Sequence, residues 1–442
     1  MWAVAGAGEE AAADACNQAV EIHRFNTSKS SLNSVSNAIL FEMLFNGGML
    51  HRYAFSNFQS FHERAEVSWL LDRKVPQAVW SHKASSGERV SRVMAVIGPN
   101  ASGKTALLKP ILFLHWFVSH SFGADPAAVL PFQPHAASVG EPSEFEVELD
   151  VDGRLMRYTL RCTQKRVLHE ALYARHERMR YVFVRDWNEA TQAYDIKQQD
   201  FGFAQSEARK VRPNASLIAT AAQYGVPLAQ RLAGSQVWSN IHQHGRMVND
   251  AGQLIQAAAH FATEEAQRQQ LVRLLSAWDL GLSDVQVREV EAVQPDGKTS
   301  KFWLPFGIHR APGNVSFELP FALESSGTQG ALVLLSRLLP VLANGGLAVI
   351  DEFENDLHPH MLEPILDLFA SPVTNPHGGQ LLFTCHALEV LNILHKSQVT
   401  LVEKNEHNQS NAWRLDSVEG IRSDDNLYAK YMAGAYGAVP QL

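Results

Sequence analysis

The feature that most constrains this chain is the octapeptide Gly98-Pro-Asn-Ala-Ser-Gly-Lys-Thr105. It follows a uniformly apolar pentapeptide, Val93-Met-Ala-Val-Ile97, and leads into an apolar run suited to a helix. A strand that is apolar throughout belongs in the middle of a sheet covered on both faces. Strand, glycine-rich loop ending in Gly-Lys-Thr, and helix together make a P-loop (Walker A) arrangement. The loop from Gly98 through Asn100, Ala101, Ser102 and Gly103 can wrap tightly enough for successive N–H groups to face phosphate oxygens. The new helix adds its positive end. Lys104 is expected to neutralise the β- and γ-phosphates of ATP, and Thr105 to hold Mg²⁺ by its hydroxyl. The bland alternative is a chance match in a glycine-containing loop. Pro110 is expected to kink the helix, but only after the anion site.

A second apolar strand, Leu347-Ala-Val-Ile350, ends in Asp351-Glu352. Such a strand delivers both carboxylates to its C-terminal end, where ligands bind in sheets of this kind. Asp351 is expected to organise the Mg²⁺ shell, and Glu352 to orient and deprotonate the attacking water. Alone, Asp-Glu after a strand is a common helix start; the P-loop upstream changes its meaning.

Glu324-Ser-Ser-Gly-Thr-Gln-Gly330 precedes an apolar helical run and ends 21 residues before Asp351. It resembles the ABC signature, with Ser326-Gly327-Thr328-Gln329 in place of Ser-Gly-Gly-Gln. Ser326, Gly327 and Gln329, at a helix N-terminus, suit a γ-phosphate, which in the ABC superfamily belongs to ATP on the opposing protomer. A plain Ser/Gly/Thr helix cap is the alternative. Downstream, Phe353-Glu-Asn355-Asp-Leu357-His-Pro359 resembles a D-loop, with Asn355 facing nucleotide. His386, after the strand Leu381-Leu-Phe-Thr384, resembles the H-loop histidine. Gln133, in Pro131-Phe-Gln-Pro134, is the candidate Q-loop ligand of Mg²⁺, though its prolines suit an ordinary loop equally well.

The fold class expected is α/β: an ABC-type P-loop NTPase head with an antiparallel β lobe and a helical insertion. Residues 49–135 would form the N-terminal half of the core, 136–215 a β-hairpin lobe and 216–300 the insertion. Residues 301–442 would supply the C-terminal half. Residues ~217 to ~280 read as helices with no sustained heptad, which excludes long coiled-coil arms. Phe145 to Val151 alternates and turns at Asp152-Gly153 into a hairpin. Residues 1–48 read as an unneeded upstream start or a loosely attached, disordered extension, without the basic start of a signal peptide. A net charge of −8 argues against a surface coated in nucleic acid. Cys16, Cys162 and Cys385 are too dispersed for a disulfide framework, which suits a reducing cytoplasm. The apolar stretch Ala106 to Phe122 is too short and polar to span a bilayer, so no membrane contact is expected.

Phe55-Ser-Asn-Phe-Gln-Ser-Phe61, Asn100-Ala-Ser-Gly-Lys-Thr105 and Arg212-Pro-Asn-Ala-Ser-Leu217 form one set with the signature and Asp351 to Pro359. With the tail Tyr428 to Pro440, that set resembles the AAA-15/AAA-21 group of ABC-like ATPases. These belong to bacterial abortive-infection and phage-defence systems, and include RloA-like proteins, AbiL ATPases and the PARIS ATPase. The resemblance implies ATP hydrolysis with Mg²⁺ and a homodimer built on composite ATP sites, with higher oligomers open. It also implies a separate nuclease-type effector. Related OLD proteins carry a TOPRIM nuclease; only 56 residues follow His386, so the toxic activity is expected on a co-encoded partner. The alternative is a RecF/SMC-like ATPase of DNA maintenance. The basic run from Arg154 to Arg185, interleaved with tyrosines, could touch DNA or be a solvated face.

Overall fold

A computed structural model describes residues 48–439 apart from 73–74, 76–79, 243–244, 248–249, 279, 294–298, 314, 356, 358 and 423–424. The expected N-terminal extension, Cys16, Asp356 and His358 of the D-loop, and Pro440 of the tail lie outside the described residues. The chain divides into two compact units. One comprises Leu44–Arg246, Val341–Glu354 and Leu362–Leu442, and is called here the P-loop unit. The other comprises Met247–Pro340 and Asn355–Met361, and is called the signature unit. The division cuts across the expected boundaries: residues 216–246 belong with the P-loop, and 301–340 do not.

In the P-loop unit, six strands form a sheet. Their order is Val237–Ser239, Leu347–Ile350, Gln380–Thr384, Val93–Ile97, Val399–Lys404 and Ser410–Arg414. The first five run parallel and the last antiparallel. Every residue of Val93–Ile97 is buried, as a strand with parallel partners on both sides requires. The parallel strands end together, so the P-loop, Asp351, His386 and Asn240 all leave the same edge of the sheet, where ligands bind in such folds. The 17-residue helix Lys104–His120 runs through Pro110. Tyr53, fully buried, donates its hydroxyl to the Leu107 carbonyl one turn earlier.

A second sheet of seven antiparallel strands has the order Ala193–Gln198, Met179–Asn188, Val167–Arg175, Arg154–Cys162, Ser143–Val151, Leu50–Ser56 and Ala65–Ser68. The expected hairpin is its middle, with Asp152 (φ 51°) and Gly153 (φ 78°) making the two-residue turn. Phe113 of the P-loop helix packs 5.0 Å from Phe132 and from Phe145 of this sheet, so the lobe's core is also the helix's core. The Arg212-to-Leu217 motif ties the two together. Arg212 donates to the carbonyls of Ser121, Phe122 and Ala124 at the end of the helix, and Asn214 to those of Asp125 and Ala128. Arg185 and Glu170 form a fully buried ion pair beneath it.

The basic run is largely balanced within this sheet. Glu148 pairs in register with Arg157, and Glu144 with Arg161; His169 meets Asp186, and Arg175 meets Glu88. Arg157 and Arg166 stack on Tyr173 and Trp187. The run therefore fits a solvated, charge-paired face better than a free cationic patch.

The expected insertion over residues 216–300 is only partly helical. Helices Leu217–Gln223 and Pro227–Ala233 are followed by the strand Val237–Ser239, which joins the central sheet, and Leu282–Val293 is a long strand. Three residues carry no readable periodicity, and their extended state comes from pairing with Leu347–Val349. In the signature unit, Ala251–Thr263 and Glu265–Ala277 accompany a three-stranded antiparallel sheet of Leu282–Val293, Thr299–Ala311 and Val315–Pro320. The helix Ser326–Asn344 is long and apolar enough to cross a membrane by length and composition, but 78% of that window is buried, as in the core helix of a globular fold.

Candidate active site

The P-loop turns by two left-handed residues, Ala101 (φ 62°) and Gly103 (φ 111°). A side chain at Gly98 would run into the Val402 carbonyl, and one at Gly103 into the Ser410 side chain, so both glycines are steric requirements. Ser410 Oγ lies 2.6 Å from the Ser102 carbonyl and 2.8 Å from Ser60 Oγ, pinning the loop from outside. No side chain caps the helix that starts at Lys104. The N–H groups of its first turn have no partner within the helix, which is the donor set an anion needs. Lys104 is buried and donates to the carbonyls of Gly98 and Pro99, each at 2.9 Å. Burial lowers its pKa, opposed by the carboxylates of Asp351, Glu354 and Glu352.

Asp351 is held on four sides. Thr105 Oγ1 and Thr384 Oγ1 each donate to its carboxylate at 2.7 Å. Asn240 takes its backbone N–H and gives a hydrogen bond to its carbonyl, each at 2.8 Å. Glu352 follows in the left-handed region (φ 51°), its N–H donating to Thr384 Oγ1. That conformation is uncommon for a residue with a side chain. The Glu352 carboxylate meets Arg246 Nε at 2.9 Å. Glu354 accepts the His386 N–H at 2.6 Å and so fixes where that histidine leaves its strand. Gln59, Asn100, Ala101, Gly103, Lys104, Thr105, Asp351, Glu352 and His386 surround one open cleft of about 510 Å³.

The structure thus gathers the P-loop, Asp351, Glu352 and His386. Gln133 is elsewhere: its side chain is exposed, and its carbonyl accepts the N–H of Gln59. Gln59, left-handed at φ 50°, lines the cleft instead. The prolines flanking Gln133 make the ordinary loop that was its alternative. Sequence reasoning also passed over Thr384, Asn240, Arg246, Glu354 and Ser410. Only Thr384, ending an apolar strand just before His386, carried a local signal.

In the signature unit, Ser325 rather than Ser326 caps the helix, accepting the Thr328 N–H at 3.2 Å. Ser326, the first helical residue, is exposed, and Thr328 is buried against Ser325. Gln329 folds its amide back onto the carbonyls of Ala322 and Glu324. Glu324 pairs with His309 at 2.7 Å, and Phe317 stacks on that imidazole. Asn355 belongs to this unit as well.

The donor set fits a nucleotide triphosphate with Mg²⁺: unpaired helix N–H groups, a buried lysine, and a hydroxyl–carboxylate pair. Among the described residues no cluster of three or more His, Cys, Asp or Glu could hold a metal by itself.

The sequence model of the AAA_21 family, described as "AAA domain, putative AbiEii toxin, Type IV TA system", matches residues 93–392, about two thirds of the chain. The chain belongs to the AAA_21 family. The match spans every residue of the site named above except Gln59, Ser60, Val402 and Ser410. No curated protein matches. Similar solved structures include the SmcHead bound to the C-winged helix domain of ScpA. Another is the Smc head domain with an extended coiled coil bound to the C-terminal domain of ScpA, derived from Pyrococcus furiosus. Each is 11% identical with a TM-score of 0.43 over 84% of this AAA_21 chain, and 100% and 97% of the respective structures are covered.

Proposed function

We propose that this protein hydrolyses ATP, with Glu352 as general base, in a site completed by Ser326 of a second copy. The observation that carries the reading is the linkage of the P-loop to the carboxylate strand through Thr105 and Asp351, with Glu352 beside it on the same cleft. The helix N–H groups and Lys104 bind and orient the triphosphate. Mg²⁺, held by Thr105 and Asp351, would offset charge on the β- and γ-phosphates. Glu352 takes a proton from water as its oxygen attacks the γ-phosphorus; the bond to the β-γ bridging oxygen breaks, releasing ADP and phosphate. His386 faces the γ-phosphate, at the place Glu354 gives it.

The exposed Ser326 at a helix start supports a role on a partner's γ-phosphate, and hence an ATP-dependent homodimer. The family's description names a toxin system, and the motif set resembles abortive-infection ATPases. The reading that follows is a cytoplasmic ATPase whose nucleotide state controls a separate nuclease-type effector in phage defence. Glu352→Gln preserves shape but cannot accept the proton. It should bind ATP, hydrolyse it ~10²-fold or more slowly, and accumulate as a closed dimer. Hydrolysis at the wild-type rate would refute the assignment of the base. If nucleotide state governs an effector, Glu352→Gln and Lys104→Ala expressed from the native operon must differ in partner co-purification or phage sensitivity. Identical behaviour would leave the ATPase and remove the switch.

A further inference from the structure

Two contacts at the site come from one short segment that bears no motif. Val237 to Ser239 pairs with Leu347 to Val349 along the sheet edge. Asn240 then continues the pairing with its side chain, matching both backbone groups of Asp351 at 2.8 Å. Six residues on, Arg246, paired across a two-residue ladder with Ile241, places Nε 2.9 Å from Glu352 Oε2. The Glu352 backbone is already fixed in a left-handed conformation and tied to Thr384. Its side chain is 41% exposed, and a glutamate in that setting has several rotamers open to it. A carboxylate offers about four lone-pair sites on two oxygens; the ion pair with Arg246 engages Oε2, so Oε1 is the oxygen assigned to water.

We infer that Arg246 is a positioning residue for hydrolysis, holding the Glu352 carboxylate in the orientation that presents Oε1 to the attacking water. Asn240 does the corresponding work on the Asp351 backbone. The inference rests on Glu352 being the general base. A half-exposed ion pair contributes little to stability, whereas a reacting group displaced by an ångström can cost up to ~100-fold in rate. Loss of Arg246 should therefore be felt in turnover and not in folding. Arg246 is also the last residue of the P-loop unit before the chain enters the signature unit at Met247, so the clamp sits where the two units join in sequence.

The test compares full-length wild type, Arg246→Ala and Arg246→Lys, the two variants also on a Glu352→Gln background, by ATP titration and single-turnover hydrolysis. Arg246→Ala should slow hydrolysis by ~10- to 100-fold at saturating ATP, with affinity and melting temperature near wild type. Arg246→Lys should recover part of the rate. On the Glu352→Gln background, Arg246→Ala should add no further loss, because the group it positions no longer acts as a base. Wild-type turnover in Arg246→Ala, or an equal proportional loss on both backgrounds, would overturn the inference. Should Arg246→Ala melt early, Arg246→Gln, which keeps more of the side-chain volume, takes its place under the same criteria. If the wild type binds ATP without hydrolysing it, the assignment of Glu352 falls first and this inference with it.

Discussion

Thr105 Oγ1 donates a 2.7 Å hydrogen bond to Asp351 Oδ2, joining residues 246 positions apart. One belongs to the P-loop helix and the other ends a parallel strand two positions along the sheet. Each side chain is therefore aimed by a different element, and the metal-binding pair exists only because both elements leave the same sheet edge.

Lys104 is buried among Asp351, Glu352 and Glu354, which oppose the effect of burial on its charge. Lys104→Ala removes the ammonium expected at the β- and γ-phosphates and leaves the carboxylates of Asp351 and Glu352 lining the cleft. ATP affinity should fall by at least ~10-fold, the cost of one charge-assisted contact. Wild-type affinity in a fluorescent-nucleotide titration would refute the phosphate assignment.

Ser326→Arg places a bulky cation at an exposed helix start and leaves the P-loop sequence unchanged. Nucleotide binding by one protomer should persist, while hydrolysis and ATP-driven association are lost. Mixed with Lys104→Ala, it should recover activity at one composite site per heterodimer. If heterodimers form and none is active at any mixing ratio, the sites are not composite.

Arg185 and Glu170 are both fully buried. Glu170 also accepts from Tyr158, Ser216 and the Leu217 N–H. Arg185→Met would strand that carboxylate without its countercharge, costing ~3–5 kcal/mol. Urea unfolding should show it, and Arg185→Met with Glu170→Gln should restore a large part. A loss under ~1 kcal/mol would mean the network is not what secures the Arg212–Leu217 latch.

His115 lies in the P-loop helix, its Nε2 bonded to the Ser235 carbonyl at 2.8 Å. Burial, helped by neighbouring His120, pushes its pKa down to about 4 despite that bond. The folded state thus resists a proton that the unfolded chain accepts near pH ~6.5. The stability from neutral His115 is complete above that pH and declines as pH falls from ~6.5 toward 4, by ~3 kcal/mol at most. His115→Gln can keep the hydrogen bond but cannot titrate, so its stability should vary less with pH across that window. Parallel curves for the two proteins would refute the assignment.

What could be read in the residues was whatever local chemistry demands. Gly98 and Gly103 are glycines because the loop cannot close over a Cβ there. Val93–Ile97 and Leu347–Ile350 are apolar because both faces are covered, and Asp152-Gly153 turns because both residues take positive φ. Lys104, Thr105, Asp351, Glu352 and His386 follow from their places after such elements. Tertiary structure alone decided the rest. Val237–Ser239 is a strand only because an edge of the sheet was available. Gln59 rather than Gln133 reaches the cleft, because two loops meet backbone to backbone. Asn240, Glu354 and Ser410 work through long-range hydrogen bonds, and Arg246 through one ion pair, to backbone, hydroxyl or carboxylate atoms. One such bond asks only for a polar side chain at a point in space, and it leaves no period, spacing or composition by which a sequence could announce it.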